Sequence, residues 1–189
     1  MRDIPFSAIR RKDRAVEDSE WIRNLLHRAP MGILATSRDG QPSINTRHFA
    51  FDEEADAIYL HGAKAGRTID DIGLDDRVCF SATEIGRQLP AAKAFDFGSE
   101  FASVVIYGRA SIVEDEAEAR HALELILAKY FPHLAYGRDY APIAEKELAA
   151  TAVIRVDIDE WSGKRKVAPA DHPGAFPYGN PPEPSPKAP

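Results

Sequence analysis

Cysteine is almost absent. Cys79 stands alone in 189 residues, so no internal disulfide staples the chain and no cysteine cluster holds zinc. Excess positive charge is missing as well: 24 Lys and Arg face 30 Asp and Glu, for a formal charge of −6, which argues against the basic surface that general nucleic-acid binding needs. No stretch approaches the roughly 18 apolar residues that cross a bilayer. Met1-Arg2-Asp3-Ile4-Pro5 leads into charge rather than into an apolar leader. No internal repeat is visible. The expectation is a cytoplasmic protein with neither a membrane nor a nucleic acid as partner.

What is present is 44% hydrophobic residues, enough for one domain with a core. Three parts follow: an N-terminal arm over 1–17 with the cluster Arg10-Arg11-Lys12-Asp13-Arg14, a body over 18–167, and a tail over 168–189 rich in proline. The tail's prolines leave no room for ladder or helix. Its Phe176 and Tyr178 are placed to anchor it on the body or on a neighbouring subunit.

In the body, a helix starts at Asp18 or Ser19 and carries Trp21, Ile22, Leu25 and Leu26 on one face up to Pro30. Strands are expected at 31–37, 43–52, 57–61, 77–83, 101–113 (bent or bulged at Gly108) and 151–158. Helices are expected at 67–72, closed by Gly73, from Asp115 to Pro132, and around 144–150; 84–97 has no period and reads as irregular. Six strands with tight early turns give a mainly β fold with peripheral helices, an antiparallel barrel or sandwich rather than a parallel sheet.

Chemistry concentrates in Tyr59-Leu60-His61-Gly62-Ala63-Lys64-Ala65-Gly66-Arg67-Thr68. It joins a strand to a helix through two glycines and two cations. Unpaired amides and the positive dipole end at a helix start suit a phosphate, and Lys64 and Arg67 can close on it from two sides. A solvated basic turn is the plainer alternative. His61 reads either as a hydrogen-bonded structural residue or as a proton donor. Paired strands could bring His48 beside it, but no third ligand is in view and no metal is assigned. Cys79 reads as a small core residue.

The run Arg11-Lys12-Asp13-Arg14, then Gly40-Gln41-Pro42, His48-Phe49-Ala50-Phe51-Asp52, the segment Tyr59 to Arg67, Arg77-Val78-Cys79-Phe80, and Ser103-Val104-Val105-Ile106-Tyr107-Gly108-Arg109-Ala110 fall in an order that resembles the pyridoxamine 5′-phosphate oxidase-like flavoproteins. Within them it is most similar to the nitroimidazole-resistance branch. The likeness covers about Arg10 to Lys164.

It implies a six-stranded antiparallel split β-barrel that dimerises, with FMN at the subunit interface. It also implies FMN phosphate on Lys64 and Arg67, with Gly62 and Ala63 beside them. Asn45, Thr46, Arg47 and His48 would line the flavin, His61 would be the catalytic candidate near it, and Ser103 would approach from its strand. The activity implied is oxidoreduction of a small organic molecule, with NAD(P)H as a candidate electron donor. A non-enzymatic flavin or haem carrier or sensor is the alternative, His61 or His48 being the axial candidates for haem. The oxidases proper end in an Arg-x-His-type motif for substrate phosphate, whereas Trp161-Ser162-Gly163-Lys164-Arg165-Lys166-Val167 here holds no histidine.

Overall fold

The computed structural model describes residues 5–183. After a short turn of helix at Lys12–Arg14 come β1 (Ala15–Val16), α1 (Ser19–Arg28), β2 (Gly32–Arg38), β3 (Gln41–Arg47), β4 (Phe49–Asp52), β5 (Ala57–Ala63) and α2 (Arg67–Leu74). Then follow β6 (Arg77–Leu89), β7 (Gly98–Ile112), α3 (Glu116–Tyr130), α4 (Glu145–Ala150), β8 (Thr151–Lys166) and β9 (Phe176–Pro177). The Asp18 carboxylate caps α1 by accepting from the Glu20 and Trp21 amides, and Asp115 caps α3 through the Glu118 amide.

The main sheet runs β3-β2-β6-β7-β8-β5-β4, with every pairing antiparallel. Its two ends, β3 and β4, are consecutive in the chain and separated only by His48. The sheet therefore closes on itself at that residue as a split barrel. The sequence reads 43–52 as one strand; the structure breaks it in two because its first half must pair with β2 and its second with β5.

Inside the barrel lie Leu34, Phe49, Phe51, Ile58, Leu60, Phe80, Val104, Ile106, Ile154 and Val156, with Ile22, Leu25 and Leu26 of α1 packed against them. Each such side chain contributes about 1.5–3 kcal/mol by leaving water. A second cluster, Tyr59, Ala119, Ala122, Leu148 and Val153, fixes α3 and α4 to the outside of β5 and β8.

Three boundaries differ from the sequence reading. β6 runs on to Leu89 and β7 starts at Gly98, so 84–97 is the far end of a hairpin with a register shift between Ile85 and Gln88, not an irregular connection. Much of that stretch is partly or fully exposed, so no burial pattern marked it as strand. β8 continues to Lys166 because Asp159 is an extra residue in its ladder: Tyr107 pairs with Glu160 but Gly108 with Ile158. That bulge hides the alternation. Gly108 is required there, since a Cβ would drive into the Asp157 carbonyl. Finally, α2 includes Gly73 and ends at Leu74.

From Ala168 to Glu183 the tail is laid back over the body, and, against the expectation that its prolines exclude a ladder, Phe176–Pro177 pairs with Gln88 and Arg87, Pro177 needing no N–H on that side; residues 184–189 of the tail lie outside the described residues.

Candidate functional site

The corner begins where β5 gives way to α2. Gly66 caps the helix at φ +131, a conformation side chains rarely adopt, and offers no side-chain acceptor to the first-turn amides. The helix itself is pinned. Asp71, 1% exposed, accepts from Thr36 Oγ1 and Arg38 Nε at 2.8 Å each, locking α2 onto β2.

Across this corner lies Arg47, the last residue of β3. Its Nη1 donates to the His61 carbonyl at 2.8 Å and its Nη2 to Thr68 Oγ1 at 3.2 Å, so one guanidinium ties β3 to both β5 and α2. Gly62 makes room, because a Cβ there would collide with Nη1. Among the described residues four buried side-chain polar atoms lack a partner, and two of them, Arg47 Nε and His61 Nδ1, lie at this corner. An orphaned donor beside a charged group is costly unless something accepts from it. Lys64 and Arg67 are exposed on the same corner, and among the described residues neither they nor Arg47 forms an ion pair.

The electrostatics follow. Burial pulls the Arg47 guanidinium below its ordinary value. Burial, and then nearby His48 and Arg47, lower His61, so its imidazole is neutral at neutral pH. A neutral ring donates through one nitrogen and accepts through the other; it is not a standing imidazolium acid. His48, at the break between β3 and β4, stacks on Tyr130 with centroids 4.0 Å apart. The Tyr130 hydroxyl accepts from the Phe49 amide at 3.2 Å. Beneath the break, Lys129 reaches the Leu26 carbonyl at 2.9 Å with the Phe49 ring at 3.3 Å, and burial takes its ammonium down to about 7.

The corner thus gathers Arg47, His48, His61, Gly62, Ala63, Lys64 and Arg67. Asn45 shares a face of β3 with Arg47, while Thr46 points to the other face beside Ile33 and Ile44. Ser103 is not brought in by its own chain. It pairs with Lys164, eleven residues along β8 from Val153, the partner of His61, which is roughly 35 Å of strand. Thr68, Asp71, Lys129 and Tyr130 escaped sequence reasoning. Tyr130 was legible only as one apolar member of the α3 stripe, and Thr68 only as the neighbour of Arg67. Among the described residues no group of three or more His, Cys, Asp or Glu could hold a metal, and no helix is long and apolar enough to cross a membrane.

The outer face of β2, β3, β6 and β7 carries a cross-strand row of Ile44, Ala35, Cys79 and Tyr107. Ile44 is 71% and Ile33 39% exposed. Phe6, Ala35, Cys79 and Tyr107 line a cavity of about 630 Å³ there.

Comparison with solved structures places this geometry among known folds. The flavocytochrome Anf3 from Azotobacter vinelandii superposes with a TM-score of 0.77 at 26% identity, covering 96% of this chain and 88% of that one. The FAD and heme binding protein from Mycobacterium smegmatis gives 0.72 at 22% identity over 93% of each chain. A candidate 5-nitroimidazole antibiotic resistance protein from Bacteroides thetaiotaomicron gives 0.67 at 21% identity, over 80% of this chain and 86% of that one. A comparison with functionally curated proteins returns no match. The sequence profile described as Pyridoxamine 5′-phosphate oxidase matches residues 18–165, and the chain belongs to that family of split-barrel proteins.

Proposed function

We propose that this protein is a flavin-dependent oxidoreductase that works as a homodimer, with the phosphate of FMN held at the corner between β5 and α2. The observation that carries this is the Arg47 guanidinium spread over Gly62 with Nε unpartnered, beside two unpaired cations and an uncapped helix start. A phosphate carries close to two negative charges, and these groups fit it. In FAD, the flavin of the Mycobacterium smegmatis protein, the riboflavin phosphate is part of a pyrophosphate and carries one charge, an anion such a corner also suits.

When bound, the flavin supplies hydride and electron transfer, and the protein's task is to hold and tune it. Lys64 and Arg67 clamp the phosphate and Arg47 fixes the loop beneath it. Asn45, Arg47 and His48 line the approach to the rings, while Thr46, facing the other way beside Ile33 and Ile44, contributes backbone only. His61, kept neutral, presents Nδ1 as a hydrogen-bonding group able to hold or pass a proton. The exposed row around Ile44 and Ile33 is the face for a second copy, whose Ser103 can then reach a site that its own chain leaves distant. The substrate is a small organic oxidant of the nitroaromatic or quinone class, with NADH or NADPH as reductant.

Purification decides the first step: a bound flavin absorption spectrum supports the reading, and the mass of the released cofactor separates FMN from FAD. The double variant Lys64→Ala, Arg67→Ala should lose flavin, each charge-assisted bond being worth about 1.5–3 kcal/mol. Unchanged occupancy would remove both residues from the site. Flavin reduction by NADH and NADPH, followed by a panel of nitroaromatic and quinone oxidants, then identifies donor and substrate class.

A second reading adds or substitutes haem. It is favoured by the likeness to a flavocytochrome and to a FAD and heme binding protein, and His48 or His61 would hold its iron. A Soret band in the purified protein supports it.

A further inference from the structure

The proline-rich tail takes no part in the corner. β2 covers β6 only from Cys79 to Ala82. Beyond that, the far half of β6 has β7 on one side and an open ladder on the other, and an open edge pairs readily with any extended chain. Here Phe176–Pro177 sits on it, opposite Gln88 and Arg87.

A side-chain clasp guides the tail to that edge. The register shift between Ile85 and Gln88 contains Gly86, where a Cβ would press on Glu100. The Glu100 carboxylate takes bonds from Arg87 Nε at 2.9 Å, Nη2 at 2.7 Å and the Arg87 amide at 3.2 Å. The same guanidinium donates to the carbonyls of Ala168, Pro169 and Ala170 at 3.2, 3.1 and 3.0 Å. Glu100 in turn accepts from the Ala168 amide at 2.9 Å. A proline-rich segment suits such a grip, because it is poor in N–H donors but offers carbonyls that a fork of donors can collect. Gly174, at φ +68 against Pro90, then turns the chain back toward β6.

We infer that residues 168–177 are a built-in guard strand: held by Arg87 and Glu100, they occupy the open edge of β6 and stop a second copy of this chain from pairing there. Ile85, 51% exposed with the tail in place, adds an apolar side chain beside that edge. Proline at position 177 suits the role, since it denies the guard's outer side part of a ladder of its own.

Hydrogen exchange on the full chain, with sedimentation of the same samples, tests this. In the unchanged protein the amides of Arg87 to Leu89, Phe176 and Tyr178 exchange slowly and together. Arg87→Ala removes every guanidinium bond to the tail, so both sets should exchange about tenfold faster or more. The Val78 to Ala82 amides should keep their rate, and assemblies larger than the native one should form as concentration rises. Glu100→Gln, which keeps side-chain size, should do the same more weakly and stands in where Arg87→Ala does not fold. A tail that exchanges freely in the unchanged protein overturns the inference. So does a gain in exchange with no gain in mass, or no gain of either in both variants.

Discussion

Replacing Arg47 by methionine tests the corner most directly, because it keeps the aliphatic stem and removes only the guanidinium. Two bonds are lost, to the His61 carbonyl at 2.8 Å and to Thr68 Oγ1 at 3.2 Å. A bond from a charged donor is worth about 1.5–3 kcal/mol, and a buried carbonyl left without its donor costs about 1–3. Against this, burial already disfavours the charge on Arg47, and an apolar side chain escapes that penalty. The free protein should therefore lose only about 1–2 kcal/mol, visible as a lower urea midpoint at unchanged slope. Flavin affinity should fall further. If the unpartnered Nε donates to the phosphate proposed above, losing that bond, at about 1.5–3 kcal/mol, raises Kd roughly ten- to a hundredfold.

The two readouts separate the roles. Urea midpoints of the cofactor-free proteins and flavin Kd values by fluorescence quenching are compared for wild type, Arg47→Met and Arg47→Lys; a lysine can satisfy one acceptor but not span two. If the midpoint drops while Kd stays within about threefold, Arg47 is a structural tie and its unpartnered Nε does not mark a ligand. If neither moves, the bridge between β3, β5 and α2 carries no free energy and the reasoning about the corner fails.

Further outcomes follow from the same geometry. Gly62→Ala should fold with little loss, because the obstructing atom is the end of a flexible side chain; flavin retention should suffer as Arg47 is pushed aside, so equal loss of fold and flavin, or of neither, would contradict it. Gly108→Ala meets the Asp157 backbone carbonyl instead and should cost about 1–3 kcal/mol in denaturant unfolding; a neutral result would mean that the bulge at Asp159 does not depend on the glycine. For His61 the fold disfavours the proton, so its stabilising contribution is complete above roughly pH 6.5 and is lost as pH falls from there through the depressed folded value. His61→Asn should flatten that part of the stability profile, bind flavin normally and slow turnover; wild-type turnover would discard the proton role.

The barrel was legible because its strands carry their own signals: the apolar runs at 31–37 and 57–61, the β-branched residues around Gly108, and the caps at Asp18 and Asp115. Local pattern could not show where one continuous strand serves two neighbours. Nothing between Arg47 and Phe49 marks a break, and the break exists because β2 and β5 lie at opposite ends of the sheet path. Bulges had a similar effect, with Gly108 signalling a distortion whose extra residue, Asp159, lies in another strand. At the site, the loop's glycines and cations were readable since they are close in sequence. The bond from Arg47 to His61 spans fourteen residues and was not.

The break at His48 also explains why the site sits where it does. A strand passing straight from β2's partner to β5's partner would carry Arg47 past the corner; ending β3 at Arg47 leaves its side chain free to lie over Gly62. The groups that hold the break are not in the corner: Tyr130 stacks on His48 and accepts from the Phe49 amide, and Lys129 sits under the Phe49 ring. Both come from the last turn of α3, which the sequence presents as plain core packing. In this fold the closure of the barrel and the aim of the guanidinium are one geometric event, so changes at the end of α3 reach the corner through His48, on which Tyr130 stacks, and through the backbone at Phe49.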